Sequence, residues 1–146
     1  MQDQHNPKQH NPDTATLFDH SRFIVLREAL LNLLDRKAPD AEIEAQLDEL
    51  LQHLQQQFAA EERQMQITQF PASAAHKTEH DRTLAKLAHH IAQWRNHRDA
   101  TNLLDYVETG LADWFVKHVN TRDFVTAQFI AIYQPDQTGK KPLSAD

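Results

Sequence analysis

Residues 70–94 read FPASAAHKTEHDRTLAKLAHHIAQW. Phe70-Pro71 closes whatever helix precedes it, because proline has no N–H to donate and its ring clashes with the preceding turn. Ser73 is placed to cap the helix that follows. Leu84, Leu87, Ile91 and Trp94 then recur three or four residues apart, the period of a helix with one buried face. His76 and His80 lead the same stripe one turn apart, so both imidazoles should face whatever that stripe is buried against. The pattern fades in the polar stretch 95–99.

Working outward, the prolines fall at 7, 12, 39, 71, 135 and 142, and the gaps between them are where helices can run. A first helix is expected from Thr16 to Lys37 on Phe23, Ile24, Leu26, Leu30, Leu31 and Leu34. A second follows Pro39, with Asp40 as a cap, and continues through Ile43, Leu47, Leu50, Leu51, Leu54 and Phe58 to about Met65. A fourth starts near Ala100 and carries Leu103, Leu104, Val107, Leu111, Trp114 and Phe115. A break is expected at Asn120-Thr121, then a short last helix from Arg122 to Tyr133. The chain has only two glycines, too few for the turns of an all-β fold. The reading is all-α: an antiparallel up-down four-helix bundle over residues 16–133 with a short C-terminal helix. Residues 1–15 read as a flexible N-terminal arm and 134–146 as a flexible tail or linker.

Composition narrows the function. At 146 residues the chain is one domain. Hydrophobic residues are 40% and charged residues 25%, a globular balance. No apolar run is long enough to span a membrane or to serve as a secretory signal, and the expected location is cytoplasmic. The net charge is −6 without a cluster of Lys and Arg, which argues against nucleic acid as partner. With no cysteine there is no disulfide, thiolate metal site or cysteine nucleophile. The anomaly is ten histidines.

His76 and His80, four apart on a helix, could hold one metal, although chance pairs occur in a histidine-rich chain. Gln57 and Glu61 are also four apart, flanked by inward-facing Leu54, Phe58 and Met65. A carboxylate there needs a partner, since an unpaired buried charge costs several kcal/mol. The alternative is an ordinary charged face, which suits Glu62 better than Glu61. His118 follows Trp114 by four residues on an inner face. Asp123 is five further on, which in a regular helix rotates it off that face. Both reach one site only if the helix ends or bends between them. His20 stands three residues before Phe23 at the start of the first helix, where a histidine is ordinarily a packing or capping residue. Taken together, four helices each send a His or a carboxylate inward, as bundle cores with metal-pair sites do.

The ordered set of His20, QFAAEE at 57–62, HKTEH at 76–80 and WFVKHVNTRD at 114–123 resembles the bacterial hemerythrins. Their pattern runs H, H-F-x-x-E-E, H-x-x-x-H, W-x-x-x-H-x-x-x-x-D. The resemblance covers residues 16–130. It implies two iron ions, oxo- or hydroxo-bridged, with O₂ as ligand. His76, His80 and His118 would bind one iron, His20 and position 57 the other, and Glu61 and Asp123 would bridge them. Trp114 and Phe115 would line the ligand pocket. Imidazole and carboxylate donors suit iron.

The chain departs from the family at Gln57, where the pattern has histidine. Gln57 could bind through its oxygen, water could take the position, or that iron could be only partly occupied or lost. His53, one turn earlier, is a poor substitute because Glu61 would then be two turns away. His5, His10, His89, His90 and His97 carry no required role, though His90 could hydrogen-bond a neighbour. The resemblance implies an O₂-binding protein or an O₂- or redox-sensing domain, with a fused signalling output domain as a partner in the sensing case. The alternatives are a peroxide- or iron-oxidising enzyme and a metal-poor structural bundle.

Overall fold

The structure, a computed structural model, describes residues 17–132. The expected arm at 1–15 and tail at 134–146 lie outside the described residues. Four rods fold up and down, each packed on the next and the first on the last. They are α1 (Ser21–Asp35), α2 (Asp40–Ile67), α3 (Ser73–His97) and a fourth rod built from α4 (Ala100–Asp105), α5 (Leu111–His118) and α6 (Phe124–Ile132). Among the described residues there is no strand, and no helix is long and apolar enough to cross a membrane.

The expected stripes form the core, with local corrections. Phe23, Leu26, Leu30 and Leu34 of α1 are buried, but Ile24 is 43% exposed and lies outside the stripe. Helix α1 begins at Ser21 rather than Thr16, because the Asp19 carboxylate accepts the Ser21 N–H at 2.9 Å and turns the chain there. This leaves His20 immediately before the first turn. Asp40 and Ser73 are the first residues of their helices, and neither caps by its side chain. Asp40 and Glu42 instead put negative charge at the positive end of α2.

The fourth rod is not broken at Asn120-Thr121. It stays helical across two π turns, Tyr106–Gly110 and Val119–Asp123. A π turn takes in one extra residue and shifts every later side chain around the rod. Its displaced carbonyls need other donors, and the chain supplies them. Arg27 of α1 donates to the oxygens of Val107 and Glu108, both at 2.9 Å. The Thr121 hydroxyl donates to the oxygen of Lys117 at 2.6 Å.

The core has two apolar clusters. The larger includes Phe58, Leu54, Leu87 and Trp94; the smaller is Leu17, Met65, Phe70 and Ile130. Along α2, Glu61 falls between Phe58 of one and Met65 of the other, so a polar layer separates two apolar ones.

The three connections between rods turn through residues of positive φ that are not glycine: Lys37, Gln69 and Arg98 at 51°, 54° and 53°. A side chain in this left-handed region meets its own backbone. Gln69 is exposed, so Gln69→Gly should relieve that strain without loss of packing. We expect a gain of roughly 0.5–1 kcal/mol in urea unfolding.

Candidate metal centre

The polar layer between the clusters is assembled from four segments. Helix α2 supplies Glu61, α3 supplies His76 and His80, α5 supplies His118, and the second π turn supplies Asp123. All five are at most 2% exposed. Each offers one ligand atom, and these atoms lie within 4.8 Å of one another. The π turn accounts for the awkward spacing of His118 and Asp123. Five residues span one π turn, as four span an α turn, so both side chains reach the same point without a break in the helix.

The nitrogens and oxygens stand at ion-pair distances without hydrogen-bond alignment. His80 Nε2 is 2.9 Å from Glu61 Oε2, and His118 Nε2 is 2.9 Å from Asp123 Oδ1. His76 Nε2 lies 3.2 Å from Asp123 Oδ1 and 3.6 Å from Glu61 Oε2. None of these atoms has an aligned hydrogen-bond partner among the described residues, although all are buried. They aim at common points rather than at each other. Misaligned buried donors and acceptors at such distances are costly in a bundle that holds nothing, and they are what a cation needs.

The far side of each ring is held. His76 Nδ1 meets the Thr126 hydroxyl at 2.8 Å, His80 Nδ1 meets Glu62 at 3.0 Å, and His118 Nδ1 meets Glu79 at 2.9 Å. Glu79 is itself held by Arg122 at 2.8 Å. Carboxylates or hydroxyls on Nδ1 fix the ring and turn Nε2 inward. Sequence reasoning missed Glu62, Glu79 and Thr126 in this role. The available signal was position: Glu62 adjoins Glu61, Glu79 adjoins His80, and Thr126 lies three residues past Asp123. His90 has a different occupation, stacked on Tyr106 at 4.1 Å.

His20 extends the cluster on one side. Its Nε2 is 3.0 Å from Asp123 Oδ2, the oxygen that does not face His76 or His118. Asp123 therefore turns one oxygen to each of two positions. The Glu61 oxygen Oε1 is also buried without an aligned partner. Gln57 does not turn its nitrogen to this centre: the amide nitrogen lies 3.0 Å from His20 Nδ1, on the ring's outer side.

Aromatic rings wall the centre. Phe58 stacks on His80 at 3.9 Å with an interplanar angle of 2°. Trp114 stacks on His118 at 4.9 Å, and Phe115 meets His20 edge-on at 5.3 Å. A cavity of about 10 Å³ adjoins His20, Gln57, Phe58, Trp114, Phe115 and His118. That is about the space one water-sized molecule needs. A larger groove of about 610 Å³ passes the outer side of His76.

The charges explain what the metal-free cluster does with protons. Burial works against a charged His76, but the carboxylates of Asp123 and Glu61 outweigh it and raise the imidazole to about 9. His118 is also raised, by Asp123 and Glu79 against the same desolvation. Burial alone would push Asp123 up, yet His118, His20 and His76 hold it far below the usual carboxylate range. A cation entering here replaces protons.

A family description, Hemerythrin HHE cation binding domain, matches residues 13–130. A bacteriohemerythrin of Ralstonia nicotianae (strain ATCC BAA-1114 / GMI1000) is 30% identical over 127 residues, covering 87% of this chain and 88% of the relative. A bacteriohemerythrin of Aquifex aeolicus (strain VF5) is 31% identical over 110 residues, covering 75% and 82%. No solved structure gives a significant match. With the family matched across all four rods and relatives aligned over most of their length, the chain belongs to the hemerythrin family of HHE cation-binding domains.

Proposed function

We propose that the protein binds non-haem iron, as a pair of ions, and uses it to bind or sense O₂. Three imidazoles, His76, His80 and His118, would hold one iron, His20 would hold the other, and Glu61 and Asp123 would offer a carboxylate to both. The observation that carries this reading is the set of buried Nε2 and carboxylate oxygens without aligned partners, each imidazole anchored from behind. The split of Asp123, one oxygen toward His76 and His118 and one toward His20, supports a pair rather than a single ion. Iron bound here supplies reversible redox chemistry with O₂. The protein's part is to position the donors and keep water out with Phe58, Trp114 and Phe115, which border the small cavity. The hemerythrin pattern has a histidine where Gln57 stands, so the second iron has one imidazole where the family has two. Fewer strong donors favour ready oxidation over stable carriage, and we read the protein as a sensor of O₂ or redox state before a carrier. Peroxide turnover is the enzymatic alternative. Iron content per chain and the visible absorption spectrum of the air-oxidised protein test the reading; zinc, or no metal, after iron reconstitution would overturn it.

His80→Ala should remove most of the iron, because it deletes a donor and leaves Glu61 and Glu62 facing a hole. His89→Ala and His97→Ala, both exposed, should retain wild-type iron content by elemental analysis. Equal losses in all three would show that the ligand set is wrong.

Metal-free and iron-loaded protein should differ in their response to pH. In the metal-free state His76 is raised from 6.5 to about 9. Its proton binds the folded chain more tightly than the unfolded one. That contribution to stability is full below 6.5 and disappears as the pH rises through 9. The metal-free Tm should fall across this window. The iron-loaded Tm should not, because iron has replaced the proton. Thermal melts followed by circular dichroism at several pH values measure both.

A further inference from the structure

We propose that Gln57 is a positioning residue rather than an iron ligand: its carboxamide lies between His20 and His53 and, acting on Nδ1 opposite the Asp123 carboxylate, sets which nitrogen of His20 carries the proton. Through that choice it controls whether His20 can accept the second iron. The part concerning iron rests on the proposed function; the part concerning the proton does not.

The four inward imidazoles differ in one respect. Behind His76, His80 and His118 stands an oxygen, from Thr126, Glu62 and Glu79. Each can take the proton on Nδ1 and leave Nε2 free to bind a metal. Behind His20 stands the amide nitrogen of Gln57 at 3.0 Å. An amide nitrogen only donates. With the amide in this orientation His20 Nδ1 accepts, and the proton of the neutral ring goes to Nε2, where the Asp123 carboxylate, with Oδ2 at 3.0 Å, also draws it. In this state His20 is closed to a metal.

The position of the amide also argues against direct ligation. Gln57 meets His20 on the side of the ring away from Asp123, so an iron-bound Gln57 would have to abandon this contact. The amide has a second use for its position. His53, one turn earlier on α2, neighbours Gln57 on the other side. Gln57 Oε1 and His53 Nε2 are both buried without an aligned partner. A carboxamide is nearly symmetric in shape, so a half-turn exchanges its oxygen and nitrogen in the same space. After that turn the oxygen takes the Nδ1 proton of His20, Nε2 is freed for iron, and the NH₂ group faces His53. One side chain thus holds a metal-refusing and a metal-accepting state, and what faces it at position 53 biases the choice.

The test uses the full chain and two readouts. Long-range ¹H–¹⁵N correlation spectra of the metal-free protein at mildly alkaline pH report the tautomer of His20. Anaerobic titration with ferrous iron reports the number of ions and their affinities. In the wild type, His20 should carry its proton on Nε2, and the second iron should bind more weakly than the first. In Gln57→Glu a carboxylate that only accepts replaces the amide NH₂, and Nδ1 of His20 should gain a proton although Asp123 still faces Nε2. In His53→Glu, a carboxylate that only accepts draws the amide NH₂ outward. His20 should then carry its proton on Nδ1, and the second iron should bind about 10-fold more tightly, the lower end of the effect of changing such an outer partner. A wild-type His20 protonated on Nδ1, or an Nδ1 that stays unprotonated in Gln57→Glu, overturns the positioning role whatever iron does. A switched tautomer in His53→Glu with unchanged affinity for the second ion overturns the link to iron. Failure of every variant and the wild type to bind iron overturns the proposed function instead, and the spectra still decide the role of Gln57.

Discussion

Two carboxylates in the middle of a helical bundle are the constraint on which the rest depends. Glu61 and Asp123 are at most 2% exposed, and ionised carboxylates out of water cost several kcal/mol each unless something compensates. The molecule answers with imidazoles on every side and with a second ring of partners behind the imidazoles. Thr126, Glu62 and Glu79 face the outer nitrogens, and Arg122 in turn holds Glu79. Charge alternates outward from the centre, from carboxylate to imidazole to carboxylate to guanidinium. The apolar clusters above and below this layer confine it to one level of the bundle.

The backbone is adapted to the same end. A regular helix cannot send His118 and Asp123 to one point, because five residues overshoot a turn. The π turn at Val119–Asp123 absorbs the excess. Such turns leave carbonyls displaced, and each of the two in the fourth rod has its own remedy: Arg27 reaching across from α1 in one case, the Thr121 hydroxyl in the other. Tyr106, Val107 and Leu111, around the first π turn, are buried. The irregularities therefore belong to the design of the rod, with one serving packing and the other the site.

Much of this was legible in the sequence because helix periodicity and ligand chemistry are local. Proline gaps and apolar stripes marked the helices, and an inward His or carboxylate on each segment marked the centre. His76, His80, Glu61 and His118 stand on buried stripes whose neighbours announce which way they point. Asp123 was legible only as a puzzle. Spacing alone demanded an irregularity between it and His118, and a helix break and a π turn satisfy that demand equally. The Thr121 hydroxyl that meets the displaced Lys117 carbonyl lies within the segment, but the choice also depended on the packing of α6 against α2, which is not a property of the segment itself.

The contacts behind the histidines belong wholly to the tertiary structure. Glu79 meets a histidine 39 positions later in the chain, Thr126 one 50 positions earlier and Gln57 one 37 positions earlier. No periodicity encodes those pairings. Glu62 and Glu79 look like surface charges in the sequence, because a helix face shows its polarity but not its neighbour. Gln57 is the sharpest case. In the motif it stands at a ligand position, and the motif fixes only its place on α2. What it touches was settled by where α1 begins, and the Asp19 carboxylate sets that start by turning the chain at Ser21. The sequence by itself determined the helices, the inward face of each and the histidines and carboxylates those faces carry; only the folded chain decided which nitrogen of each ring faces the centre, because that depends on atoms brought together from different helices.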